Sequence, residues 1–309
     1  MTSVSEGPIG RSTVPSITPG PSPATPRTAP RAAPRTSGGA DARTVARATL
    51  RTTLRTDDGV RIEAVYEPGS VDGPSFDGTA DGTADVTAIV LAHGFTGSVD
   101  RPAVRRAAEV FAGRAAVVTF SFRGHGGSGG RSTVGDREVR DLAAAVAWAR
   151  SLGHRRVVTV GFSMGGSVVL RHGALYAGRP AEGADAVVAV SAPARWFYRG
   201  TAPMRRVHWL VTCPTGRLAG RYGLRTRIAR GPWDPVPMPP VEAARRIAPA
   251  PLLIVHGDRD AYFPLDHPRS LAEAAGEGAE LWLEPGMGHA ENAADEALLT
   301  RIAHWAVTA

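Results

Sequence analysis

A series of short, continuous apolar runs separated by helical patterns limits this chain more than any other feature. Runs at Thr87–Ala92, Ala115–Phe120, Val157–Val160, Ala186–Val190 and Leu252–Val255 lack in–out alternation. A strand with one wet face alternates polar and apolar residues, so runs of this kind read as strands buried on both faces of a parallel sheet. Helical patterns fall between them at about 102–113, 135–151, 164–177 and 266–276. A further strand at Glu280–Leu283 precedes a last helix at about 291–307. Strands alternating with helices imply an α/β fold: a mostly parallel central sheet flanked by helices on both sides. One domain over residues 46–309 is expected. It opens with a β-hairpin that turns at Asp57-Asp58-Gly59. The rhythm breaks at about 195–245, where prolines, Trp196, Trp209, Trp233 and many arginines collect. That stretch reads as a small helical cap insertion over the C-terminal edge of the sheet.

Two other segments contribute no core. Residues 1–45 are rich in Pro, Ser, Thr and Arg. So little apolar surface cannot offset the entropy of ordering, and a disordered, solvated tail is expected. Ser70 to Asp85 is rich in Gly and Asp and repeats Asp77-Gly78-Thr79-Ala80 as Asp81-Gly82-Thr83-Ala84. Its spacing matches no EF-hand loop, which favours a solvated insertion over a calcium site.

Composition removes several chemistries. All 36 basic residues are arginine, so Schiff-base catalysis, a P-loop lysine and Ser-Lys catalysis are excluded together. The single cysteine, Cys213, excludes an internal disulfide framework and a multi-cysteine metal site. With no zinc-finger, RNP or basic-zipper pattern, the net charge of +7 is not read as a nucleic-acid signal. No run is long enough to span a bilayer and the first residues show no apolar h-region of the signal-peptide kind, so a cytoplasmic location is expected. No cofactor or metal is called for.

The chemistry centres on Gly161-Phe162-Ser163-Met164-Gly165, which follows a buried strand and opens a helix. A serine on so tight a turn adopts a strained backbone, and the flanking glycines let neighbouring backbone approach. The turn lifts the hydroxyl above the sheet, with a helix N-terminus behind it. Serine needs a base, normally an oriented histidine. His267 is read as following a strand end and His304 lies within the last helix. His289, in the loop Gly286-Met287-Gly288-His289-Ala290, can swing over the serine. An acid that orients the imidazole is available at Asp258 or Asp260, after the strand Leu252–Val255. No Asp or Glu occurs from Ala186 to Trp233, so the preceding strand offers none. Gly124-His125-Gly126-Gly127-Ser128-Gly129 formally matches a dinucleotide fingerprint, but no helix opens on it and no acid follows at a strand end.

Taken in order, His93-Gly94-Phe95, Phe122-Arg123-Gly124-His125-Gly126-Gly127-Ser128, the Ser163 elbow, Gly257-Asp258-Arg259-Asp260 with Pro264, and Gly288-His289 are landmarks. Through them, residues from about 87 to 308 resemble the α/β-hydrolase superfamily, in particular its serine-aminopeptidase-like and esterase branch. The resemblance implies Asp260 as the acid and the backbone N–H groups of Phe95 and Met164 as an oxyanion hole. A fold that hosts many chemistries does not identify the substrate.

The expected activity is hydrolysis of a carboxylic ester or related acyl bond through an acyl-enzyme, with Ser163, His289 and Asp260 as the catalytic set. Peptidase, thioesterase and acyltransferase activities stay open, as does a non-catalytic binding protein of the same fold. The expected partner is a small acyl substrate. Nine arginines between Arg195 and Arg230, interleaved with apolar and aromatic residues, suggest a substrate with an anionic portion or contact with an anionic membrane. A solvated arginine-rich face is the plainer reading. His93, Trp196, Arg205 and Arg206 are the candidate substrate contacts.

Overall fold

The computed structural model describes residues 49–69 and 87–309. The Pro-rich tail and the Gly/Asp-rich stretch from Ser70 to Asp85 lie outside the described residues. β1 (Leu50–Arg55) and β2 (Arg61–Glu67) form the antiparallel hairpin around Asp57-Asp58-Gly59. Gly59 takes the positive φ of +80° that the turn requires. Six strands follow: β3 (Thr87–Ala92), β4 (Ala116–Phe120), β5 (Arg156–Phe162), β6 (Ala186–Val190), β7 (Leu252–Gly257) and β8 (Ala279–Glu284). They join one eight-stranded sheet in the order β1-β2-β4-β3-β5-β6-β7-β8. β2 pairs antiparallel with β1 and β4, and every other pairing is parallel.

Helices cover both faces, which is why the parallel strands carry no alternation. On one side lie α1 (Pro102–Ala112) and α9 (Glu296–Thr308), with Phe111, Leu299 and Ile302 packed on Ile89, Leu91, Val158 and Val160. On the other lie α2 (Glu138–Ser151), α3 (Met164–Leu175), α6 (Pro240–Ala244) and α7 (Asp266–Ala275). Their residues Leu142, Val146, Leu170 and Leu271 meet Ala88, Val90, Ala92 and Val187. Neighbouring residues of a strand thus serve different cores.

Between β6 and β7 the chain leaves the sheet. α4 (Ala202–Thr212) and α5 (Pro214–Gly223) form a helical pair, and residues 226–229 then return along the glycine loop after β4. There Arg227 N–H donates to Gly124 O at 2.7 Å, and Ser132 N–H donates to Arg227 O at 2.7 Å.

Three details differ from expectation, each through a side chain that captures backbone. α2 begins at 138 rather than 135 because the Glu138 carboxylate accepts N–H bonds from Thr133, Val134 and Gly135 and holds them as a loop. The last helical stretch splits into α8 (Ala290–Ala293) and α9, since Asp295 caps the second piece by accepting Leu298 N–H at 2.8 Å. His267 does not follow a strand end directly, since β7 closes at Gly257; it sits in the first turn of α7, within the helix expected at about 266–276. It is buried, and its Nδ1 accepts Ala194 N–H at 2.9 Å.

Arg123, only 3% exposed, ties the hairpin to the helical layer. Its guanidinium meets Asp58 at 2.8 Å and the fully buried Asp141 at 2.8 Å. The bond from Arg123 draws the Asp58 carboxyl down to about 2. Removing one partner of a buried pair leaves the other charge uncompensated, at a cost of about 3–5 kcal/mol. Arg123→Ala is therefore expected to lower unfolding free energy by that amount in urea titrations. Asp58→Asn, at a partly exposed partner and with Asp141 still in place, is expected to cost less, about 1–2 kcal/mol.

Candidate active site

The sheet order places the site. β3 is flanked by β4 on one side and β5 on the other, and such a reversal opens a crevice beyond the strand C-termini. Ser163 stands there, between β5 and α3, with φ +52° and ψ −111°. A positive φ at a non-glycine residue costs on the order of 1 kcal/mol or more and persists only when the surroundings impose it. Here backbone contacts impose it. A Cβ on Gly161 would collide with the backbone of Gly165, and one on Gly165 with the carbonyls of Ala92 and His93. Ser163 N–H is anchored on Val190 O at 2.8 Å.

His289 reaches the serine from the loop after β8. Its Nε2 lies 2.9 Å from Ser163 Oγ and its Nδ1 lies 2.7 Å from Asp260 Oδ2. A carboxylate only accepts, so Nδ1 carries the hydrogen and Nε2 is left to accept the serine proton. The Asp260 side chain is fully buried. Its Oδ1 accepts N–H bonds from Tyr262 and Phe263 at 2.8 and 3.1 Å. Burial alone would raise its pKa, but the bond and charge of His289 outweigh it, so the group lies below the usual carboxylate value. The Tyr262 ring stacks on His289 at 4.1 Å between centroids and Phe263 meets it edge-on. Hydrogen bond and stacking together hold the imidazole in one orientation.

Both aspartates after β7 have work. Asp258 Oδ1 accepts Gly286 N–H at 2.6 Å and so ties the histidine loop to the acid loop. Gly257 lets the two loops touch, since a Cβ there would strike the backbone of Met287. Sequence reasoning missed two further residues. His256 is buried beneath the acid. Its Nε2 donates to Phe263 O at 2.9 Å and lies 3.6 Å from Asp260 Oδ2, so it pins the turn that carries the acid. Glu291 accepts Gly94 N–H at 3.0 Å across 197 positions of sequence and links the histidine loop to the loop after β3. A Glu two residues past the histidine was a visible signal, but its partner was not.

Phe95 and Met164 both border the cavity beside Ser163 and His289. Among the described residues neither N–H has a hydrogen-bond acceptor. Met164 opens α3, where N–H groups lack helical partners and the dipole favours negative charge.

The remaining sequence candidates divide. Trp196 lines the cavity, and its Nε1–H donates to Pro237 O at 2.9 Å. His93 does not line it. Fully buried, it donates from Nδ1 to Gly94 O at 2.7 Å and accepts Phe122 N–H at Nε2. Burial pushes its pKa down to about 3, so it is a neutral brace for the β3 loop rather than a substrate contact. Arg205 and Arg206 are exposed and outside the cavity wall, because α4 turns Val207, Leu210 and Val211 inward instead. The cavity has a volume of about 1170 Å³ and lies between the sheet edge and the α4–α5 pair.

A parallel sheet with a strained serine turn at its C-terminal edge, faced by a histidine and an acid from later loops, defines the architecture of an α/β hydrolase. The sequence model of the Alpha/beta hydrolase family matches residues 89–299, and the chain belongs to that family. A monoacylglycerol lipase of Mycolicibacterium smegmatis is 29% identical over 239 residues, or 65% of this chain and 80% of the lipase. Among solved structures, an esterase of Pyrococcus furiosus aligns with a TM-score of 0.62 at 21% identity, over 88% of this chain and 97% of the esterase. Est1E of Butyrivibrio proteoclasticus with bound ferulic acid aligns at 0.57 and 16% identity, over 84% of this chain and all of the other. At these identities the structural likenesses speak to the fold alone.

The different partners of the two aspartates predict unequal effects. Asp260→Asn is expected to cut kcat about 10⁴-fold by favouring the wrong imidazole tautomer. Asp258→Asn keeps an oxygen for Gly286 and is expected to cost less than tenfold. Nitrophenyl ester kinetics on both variants measure the contrast.

Proposed function

We propose that the protein is a serine hydrolase that cleaves a carboxylic ester, or a closely related acyl bond, through an acyl-enzyme. The observation that carries this reading is the hydrogen-bond chain Asp260–His289–Ser163, which opens into a large cavity with apolar walls. Kinship to a monoacylglycerol lipase supports an ester as the scissile bond.

In this mechanism Ser163 Oγ attacks the acyl carbonyl carbon while its proton passes to His289 Nε2. Asp260 stays ionised, holds the tautomer and stabilises the imidazolium. Negative charge gathers on the former carbonyl oxygen, which accepts hydrogen bonds from the Phe95 and Met164 N–H groups. One such donor contributes roughly a hundred- to a thousandfold in rate. The carbon–oxygen bond to the leaving group then breaks, and His289 returns the proton to the departing alcohol. A water molecule, deprotonated by His289, attacks the acyl carbon and releases the acid, which restores Ser163 and the neutral imidazole.

The acyl chain is assigned to the inner side of the cap, where Trp196, Val207, Leu210 and Val211 form an apolar wall. A volume of about 1170 Å³ lies just above the roughly 300–1,000 Å³ typical of small-molecule pockets, which suits medium to long chains over acetyl groups. Arg205 and Arg206 stand outside that wall, so they offer no argument for an anionic substrate.

A graded panel of nitrophenyl esters with amide and thioester analogues tests the proposal. The expected order is medium or long oxoester above acetyl ester above amide in kcat/KM. Ser163→Ala is expected to lose about 10⁴-fold or more and all labelling by a fluorophosphonate. A folded wild type that the probe does not label contradicts the reading.

A further inference from the structure

We infer that the outward face of the α4–α5 pair, where exposed arginines flank Trp209, Leu218 and Tyr222, docks on an anionic lipid surface. α4 contains no buried residue. Its inner side faces the cavity, while Arg205, Arg206 and Trp209 point the other way. On α5, Leu218 and Tyr222 are four residues apart and therefore share a face. Trp209 is 47% exposed, Leu218 56% and Tyr222 72%. Arg221 lies over the Tyr222 ring and Arg225 follows the helix, both exposed.

Charge complementarity selects the partner. Residues 195–230 hold nine arginines in 36 positions, about twice the density of the whole chain, which has 36 in 309. A general taste for arginine could produce such a local excess. It does not explain why the 48 positions from Ala186 to Trp233 contain no acid, where the chain average of 29 in 309 would give about four or five. Among the described residues, the one ion pair formed by an arginine of 195–230 joins Arg195 to Asp266. Arg205 rests only on the carbonyls of Arg199 and Gly200. The outward face is thus a cationic surface formed by two helices that carry no acid of their own.

Its apolar residues favour lipid over nucleic acid or an acidic protein. Tryptophan and tyrosine suit the headgroup boundary, where one end of the ring is apolar and the other wet. Guanidinium groups pair with phosphates in a bidentate manner. Basic residues near an anionic leaflet are drawn to it by an attraction that salt screens. Docking would set the wall of the acyl cavity against the membrane. The inference rests on the outer face and not on the catalytic reading, so the two can fail separately.

Flotation of the full-length Ser163→Ala protein with vesicles tests it. One set is pure phosphatidylcholine and the other contains phosphatidylglycerol. The expected result is binding to the anionic set only, weakened by added salt. Arg206→Glu/Arg221→Glu/Arg225→Glu is expected to lower that affinity at least tenfold with an unchanged thermal melt, and Trp209→Ala/Tyr222→Ala to lower it several-fold. No binding to anionic vesicles overturns the inference, as does binding that neither variant alters. A solution dimer that the arginine variant dissociates would assign the face to a second copy of the chain and would equally overturn it.

Discussion

Backbone packs directly on backbone where β5 turns into α3, and the rest of the site depends on that contact. Gly161 lies against Gly165, and Gly165 against the carbonyls at the end of β3. No side chain fits in either gap. The approach drives Ser163 to positive φ, directs its hydroxyl away from the sheet and brings the Phe95 loop beside the start of α3. A second contact of the same kind, Gly257 against Met287, sets the acid and histidine loops side by side. Two glycine-mediated approaches, one on each side of β6, thus bring the serine turn and three loops that are distant in sequence to one point.

Around these contacts, side chains remove the remaining freedom. His93 and Glu291 brace the loop after β3, Asp258 joins the loops after β7 and β8, and His256 holds the turn that carries Asp260. Strain at one residue is tolerated because many hydrogen bonds around it agree on the same geometry.

Much of this was legible in the sequence. Strands buried on both faces announce themselves by missing alternation, and the elbow by glycines that backbone contact demands. His289 stood out because it alone of its candidates lay in a glycine-rich loop. The residues did not separate Asp258 from Asp260, since both follow the same strand; in the structure each has its own partner. Bonds between distant positions were not legible: Glu138 unwinding the approach to α2, Glu291 reaching Gly94, His93 turned inward. Arg205 and Arg206 stood out by charge, yet the facing of α4 decides what they meet. That facing depends on how the cap packs, which local pattern does not encode. The result is a helix with two apolar duties, one lining a cavity and one exposed among arginines.

In the proposed mechanism Ser163 carries the acyl group between two chemical steps. Rapid-quench mass spectrometry of the wild-type protein with a nitrophenyl ester tests it most directly. The expected result is a burst of nitrophenol near one equivalent, with an added acyl mass on the peptide that contains Ser163. Turnover with no acyl adduct, or an adduct on any other residue, would contradict it.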